Sequence, residues 1–165
     1  MRRIFLLCLS FSLICCSDAG SPPAADEFAI YMLQDRTIDA RTALSYPMET
    51  LQLNGTPFLR ASDLNWYSWS SHTFELKPEM AARWEEFRRT LGNLAGVPFV
   101  VTVGSERIYV GTFWWGYSSM MPPQCAVIQL VSANPYAILL MAGATDYRND
   151  GRIHTALMRS GILVD

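Results

Sequence analysis

The sequence predicts a small α+β domain: a mixed or mainly antiparallel sheet of four to six strands with two or three helices, one of which covers a sheet face. Three observations predict it. Residues 72–113 read as strand, helix, strand, tight turn, strand. Separate short apolar runs of strand length, at residues 28–33 and 126–131, lie on either side. Near the end, Ile153, Ala156 and Leu157 recur at helical spacing.

In chain order, residues 28–33 (FAIYML) form a continuous apolar run, expected as a central strand. Asp39 can cap a short helix through Ala40, Ala43 and Leu44, which Pro47 stops. Residues 50–53 (TLQL) are a short strand, ended by Asn54-Gly55-Thr56-Pro57. Ser62 or Asp63 starts a single turn. Trp66, Tyr67 and Trp69 follow. Adjacent residues of a strand face opposite ways, so at least one of these aromatics should lie outside the main core. It could stack on a sugar or peptide, or pack in a small second layer.

The stretch from residue 72 is the best specified. His72, Phe74 and Leu76 point one way; Thr73 and Glu75 point the other. Pro78 suits the first helical position, where its missing N–H is no loss, and Glu79 complements the helix dipole. Met80, Trp84, Phe87 and Leu91 recur at spacings of four, three and four, one apolar stripe on a helix over residues 78–91. Arg83, Glu85, Glu86, Arg88 and Arg89 fill the other face. Gly92 can take a left-handed cap, and Gly96 with Pro98 prevents continuation. Residues 98–103 (PFVVTV) are a β-branched strand, Gly104-Ser105 a two-residue type II′ loop, and residues 107–113 (RIYVGTF) the returning strand. A helix between two strands covers a sheet, so the stripe is expected to be core rather than a cofactor box.

On these residues, FELKPEMAARWEEF and VPFVVTVGSERIYVG, the stretch resembles part of the first periplasmic domain of the SecD/SecDF protein-export component. The resemblance covers about residues 72–113 and implies a small α+β periplasmic domain. It does not imply export activity, because the membrane helices that drive that family are not in this sequence.

Residues 114–123 (WWGYSSMMPP) follow a strand, contain Gly and two prolines, and are expected as a loop. Loops run over the surface, yet this one carries Trp114, Trp115, Tyr117, Met120 and Met121. Either it folds over the core or it presents an apolar surface to a partner. Residues 126–131 are a strand, Asn134-Pro135 a turn, and residues 136–142 a further strand or a buried helix turn. Asn149 or Asp150 caps a last helix with Ile153, Ala156 and Leu157 inward, and Gly161 ends it.

At the amino terminus, Arg2 and Arg3 precede an apolar run at residues 4–14, too short to span a bilayer as an ordinary helix. Residues 1–15 read as a signal peptide. Leu13-Ile14-Cys15-Cys16 resembles a bacterial lipobox, with Cys16 as the lipidated residue and Cys15 where Gly or Ala is usual. Residues 16–26 (CSDAGSPPAAD) are then a linker, and residues 27–165 one domain. Acyl chains at about 0.8 kcal/mol per buried CH₂ would hold the protein on a membrane. The alternative is ordinary cleavage near Ala19 and a secreted soluble protein.

Half of the residues are hydrophobic, which is enough for a core. Losing Arg2 and Arg3 with the leader takes the net charge from −2 to −4, which argues against a nucleic-acid partner. With Cys8 and Cys15 gone and Cys16 acylated, only Cys125 remains, so no disulfide framework is expected; Cys125 reads as a buried thiol. His72 and His154 sit in no metal-binding spacing, and no HExxH, CxxC, GxSxG, P-loop or GxGxxG motif is present. No catalytic residue, metal or cofactor is assigned. The expectation is a non-catalytic binding lipoprotein of the cell envelope, held to a membrane by its anchor. Its contact surface for a protein or peptide would be Trp114, Trp115, Tyr117, Met120 and Met121 with Trp66, Tyr67 and Trp69. The alternative is a small hydrolase-like envelope enzyme using His72 or His154.

Overall fold

The computed structural model describes residues 26–92, 94–131 and 136–165. The expected leader, Cys16, nearly all of the expected linker and the expected Asn134-Pro135 turn lie outside the described residues. The rest is an α+β fold. Its elements are β1 (Phe28–Met32), α1 (Ala40–Ser45), β2 (Leu59–Arg60), β3 (Leu64–Ser68), β4 (Thr73–Leu76), α2 (Pro78–Thr90), β5 (Val97–Val103), β6 (Glu106–Trp114), β7 (Ala126–Gln129), β8 (Ile138–Leu140), α3 (Gly151–Arg159) and β9 (Leu163–Val164).

The main sheet has six strands in the order β2-β1-β5-β6-β7-β8, and a second sheet has three, β4-β3-β9. Pairing is antiparallel except for β6–β7 and β3–β9, so the sheets are mixed. They are joined at one seam. Thr73 bridges Ala137, the Ile138 N–H donates to the His72 carbonyl at 2.9 Å, and the Phe74 N–H donates to the Tyr136 carbonyl at 2.9 Å. The strand after β3 and the strand after α2 therefore belong to different sheets, and α2 spans the angle between them.

That placement makes the α2 stripe core, as its spacing predicts. Trp84 is wholly buried, with ring centroids 5.7 Å from Phe113, 5.8 Å from Phe58, 5.6 Å from Tyr136 and 6.2 Å from Phe74. Phe87 is half-buried at 5.0 Å from Phe113. Burying an aromatic side chain of this kind stabilises by a few kcal/mol, about 25 cal/mol per Å².

The apolar runs of β1 and β5 are continuous because both faces of the main sheet are covered. Phe28, Ile30, Met32, Phe99 and Val101 join the inner core with Trp84, Phe113 and Leu157 of α3. Leu33 and Val100 face the other way, against Ala43 of α1 and Leu51. Strands buried on two sides lose polar alternation.

The expected caps hold at two helices. Asp39 accepts from the Thr42 N–H at 2.8 Å, and Asp150 from the Arg152 N–H at 2.9 Å. Gly104 has φ +55 and Ser105 does not share it, the pattern of a type II′ loop. Three expectations need correction. Gly92 is not a left-handed cap: α2 ends on Leu91 in extended backbone, and Gly96 is the residue with φ +85. Residues 50–53 form no strand: residues Met48–Thr50 make a single tight 3-10 turn, and only Leu53 bridges Leu33. His72 does not open a strand, because its φ of +51 belongs to the preceding turn. The short strands β2 and β9, two residues each, are too brief to carry a period of two.

Candidate functional site

The aromatic segment after β6 divides sharply. Trp114 is the last residue of β6, and its side chain packs with Ala40, Cys125 and Val127 on the outer face. Trp115, the next residue, turns to the inner core and is 7% exposed. Consecutive strand residues face opposite ways, and here both faces are covered. Trp114 and Trp115 are therefore removed from the expected contact surface.

Beyond Gly116 the chain comes out. Tyr117 is 64% and Met121 72% exposed, and Met120 is exposed as well. Hydrogen bonds pin this loop. The Ser118 N–H donates to the Trp115 carbonyl at 3.0 Å, the Ser118 hydroxyl to the Leu94 carbonyl at 3.1 Å, and Arg41 to the Met121 carbonyl at 2.9 Å. Gly116 lies so close to the Val131 carbonyl that a Cβ would come within 2.5 Å of it. Those two approaches bring the backbones of Leu94 and Val131, both exposed residues, against the loop. Tyr117, Met120 and Met121 are thus an exposed apolar patch on a loop held by polar contacts, with the backbones of Leu94 and Val131, two further exposed apolar residues, against it. Leu94 drew no notice in the sequence and Val131 only as part of the 126–131 run, because only the fold brings them to the Tyr117 loop.

The patch has a definite place. The Gly104 N–H donates to the Glu27 carbonyl at 2.8 Å, so the β5–β6 hairpin turn lies beside the start of the domain. From there β6 runs nine residues to Trp114, roughly 26 Å at strand rise. The patch sits at the end of the main sheet opposite Asp26.

Trp66, Tyr67 and Trp69 do not join it. Tyr67 is buried, lying 3.0 Å from His72 Nδ1 through its hydroxyl and parallel to Phe74 at 6.4 Å. It too is removed from the contact surface. Trp66 is half-buried, with its indole N–H donating to Glu75. Trp69 is half-buried between the two histidines, at 5.6 Å from His72 and 4.9 Å from His154. Among the described residues, none of the three makes a ring contact or hydrogen bond with residues 114–121.

His72 is buried in a polar knot rather than in a cleft. Burial and the Arg148 cation hold its pKa below the usual imidazole value, against the opposing pull of Asp146 and a hydrogen bond with Asn149. Arg148 itself is fixed by the Asp146 carboxylate, at 2.8 Å to each oxygen, and by the Ile138 carbonyl at 2.8 Å. This neutral imidazole locks the turn before β4 to the loop before α3.

A cleft of about 390 Å³ lies elsewhere, over the start of β7. It is lined by Ile108, Tyr109 and Val110 of β6, by Gln124, Cys125 and Ala126 at the start of β7, and by Leu44, Tyr46, Met48, Thr145 and Tyr147. Neither histidine lines it. Burial pushes the Cys125 thiol up to about 11, so it is protonated at neutral pH and a poor nucleophile. Among the described residues no group of three His, Cys, Asp or Glu side chains is placed to hold a metal ion.

No protein-family model matches this chain, and no curated protein and no solved structure matches it either.

Proposed function

We propose that this chain is a lipid-anchored, non-catalytic binding module of the bacterial cell envelope. It is tethered through Cys16 and meets a protein partner through Leu94, Tyr117, Met120, Met121 and Val131. The observation that carries this reading is the exposed apolar patch pinned at the end of the sheet opposite Asp26. A lipid attached through residues 16–26 pulls on the Asp26 end. A patch roughly 26 Å away along β6 is then turned from the membrane toward whatever lies beyond it. Apolar clusters of this kind on a folded surface mark contact sites, and flexible methionines suit a protein surface with its own contours. The resemblance of residues 72–113 to the first SecD periplasmic domain points to the same compartment. No helix among the described residues is long and apolar enough to cross a membrane.

The test has two arms. Mass spectrometry of the mature amino terminus should find Cys16 as the first residue, carrying acyl mass; an unmodified terminus beyond Cys16 refutes the anchor. Detergent extracts of the native envelope should yield a stoichiometric partner with the wild-type chain and not with Tyr117→Ala/Met121→Ala. Equal recovery with the double variant refutes the surface.

A further inference from the structure

The cleft over β7 is lined by none of the residues of the Tyr117 patch. Three consecutive residues of β6, Ile108, Tyr109 and Val110, line that cleft. Successive strand side chains point to opposite faces, so three in a row reach one opening only where the opening faces the strand's edge. β6 has nine residues, but β7 pairs only with Gly111–Trp114 of it. The chain turns just before β7, where the Cys125 N–H donates back to the Pro123 carbonyl at 2.9 Å. β7 therefore begins at Ala126, and no described strand flanks the first half of β6 on that side.

The direction of the open groups follows from one hydrogen bond. The Leu130 N–H donates to the Trp114 carbonyl at 2.9 Å, so Trp114 presents its backbone toward β7. Backbone groups alternate along a strand, which turns Thr112 and Val110 to the same side and Tyr109 toward β5. Across the trans peptide between Ile108 and Tyr109, carbonyl and N–H point oppositely, so the Ile108 carbonyl also faces the cleft. Among the described residues no backbone outside the ladder bonds to the Ile108 carbonyl or the Val110 N–H. An acceptor and a donor spaced this way are what one residue of a parallel strand bonds on its neighbour.

We infer that the cleft receives an extended peptide segment of a partner, docked parallel to β6 as a continuation of β7. One residue of it bridges the Ile108 carbonyl and the Val110 N–H. Its side chain falls with Tyr109 toward Thr145 and Tyr147, the side chain of the residue before it falls toward Tyr46 and Met48, and the segment ends against Cys125, which stands beside Val110. A compact apolar molecule fits the walls but leaves both backbone groups unpaired, which is unfavourable once water is excluded. The bulge at Ile108, where Val101 faces Tyr109 and Thr102 faces Arg107, limits the added ladder to this short stretch. The contact is therefore one residue's pair of hydrogen bonds with side chains held on either side.

The probe is a displayed library of eight-residue peptides with aliphatic or aromatic residues at alternate positions, selected against the full chain. The site should return binders whose saturation slows hydrogen exchange at the Val110 amide at least about tenfold. N-methylation of the bridging residue, and separately Tyr147→Ala, should weaken binding at least about tenfold, while Tyr117→Ala leaves it unchanged. A library that returns no binder overturns the inference. So do binders that leave Val110 exchange unaltered or that tolerate the N-methyl group, since either result describes an apolar pocket rather than an added strand.

Discussion

Trp115 and Tyr117 stack at 5.1 Å with their rings 26° apart, one ring 7% exposed and the other 64%. Two residues of one short segment thus mark the passage from core to surface, with Gly116 between them pressed on the Val131 carbonyl. The stack lets an exposed tyrosine rest on something rigid. A side chain ordered before contact gives up less freedom on binding.

Stability and binding should separate along this pair. Tyr117→Ala and Met121→Ala should each change unfolding free energy by no more than about 0.5 kcal/mol, as exposed substitutions usually do, yet abolish capture of the envelope partner. Trp115→Ala should destabilise by about 3–5 kcal/mol, the usual cost of truncating a buried aromatic. Urea unfolding of the three variants checks the split.

The α2 ridge makes a sharper claim about the core. Trp84→Ala should cost about 3–5 kcal/mol. Trp84→Phe should cost clearly less, because it keeps the ring contacts and removes an indole N–H that has no hydrogen-bond partner among the described residues. Chemical denaturation of both variants, compared at equal slope, tests it.

Gly96 tests the turn into β5. Its φ is +85, and a Cβ there would lie 2.6 Å from the Trp114 ring and 2.7 Å from the Thr112 hydroxyl. Gly96→Ala should destabilise by about 1–3 kcal/mol through backbone strain and overpacking together. Gly92→Ala, with open space around it and ordinary backbone, should be neutral or mildly stabilising. Thermal unfolding distinguishes the two.

Much of this was legible in the sequence, and what was not has physical causes. The ridge of Met80, Trp84 and Phe87 could be read because a helix repeats its face every few residues over thirteen positions. Asp39 and Asp150 could be read because capping is local chemistry. Strands β2 and β9 could not, because pairs of residues such as Leu59-Arg60 and Leu163-Val164 become strands only through their neighbours. Trp114 and Trp115 misled because a Gly- and Pro-containing segment suggested loop throughout, whereas β6 runs on through Trp114 and the next ring is drawn inward. Leu94, Val131, Tyr46 and Tyr147 carry no local signal at all. They reach their sites from separate parts of the chain.

His72 sets a pH dependence whose sign is fixed. Burial and Arg148 lower its pKa in the folded state. The unfolded chain, with an imidazole near about 6.5, therefore takes up a proton at a higher pH than the folded one. Stability from this group is present above that value and is lost as pH falls from about 7 through 6. His72→Gln should flatten that part of the curve while lowering stability at pH 8, since the contact with Tyr67 is lost. Urea midpoints from pH 8 to pH 5 check it.

The most direct measurement places a photo-crosslinking side chain at Met121 and, as a control at the other end of β6, at Ser105 in the living envelope. A discrete protein adduct from position 121, with lipid or no adduct from position 105, is the predicted result. Lipid adducts from position 121, or the same protein adduct from both, would contradict a module tethered at one end of its sheet and binding at the other.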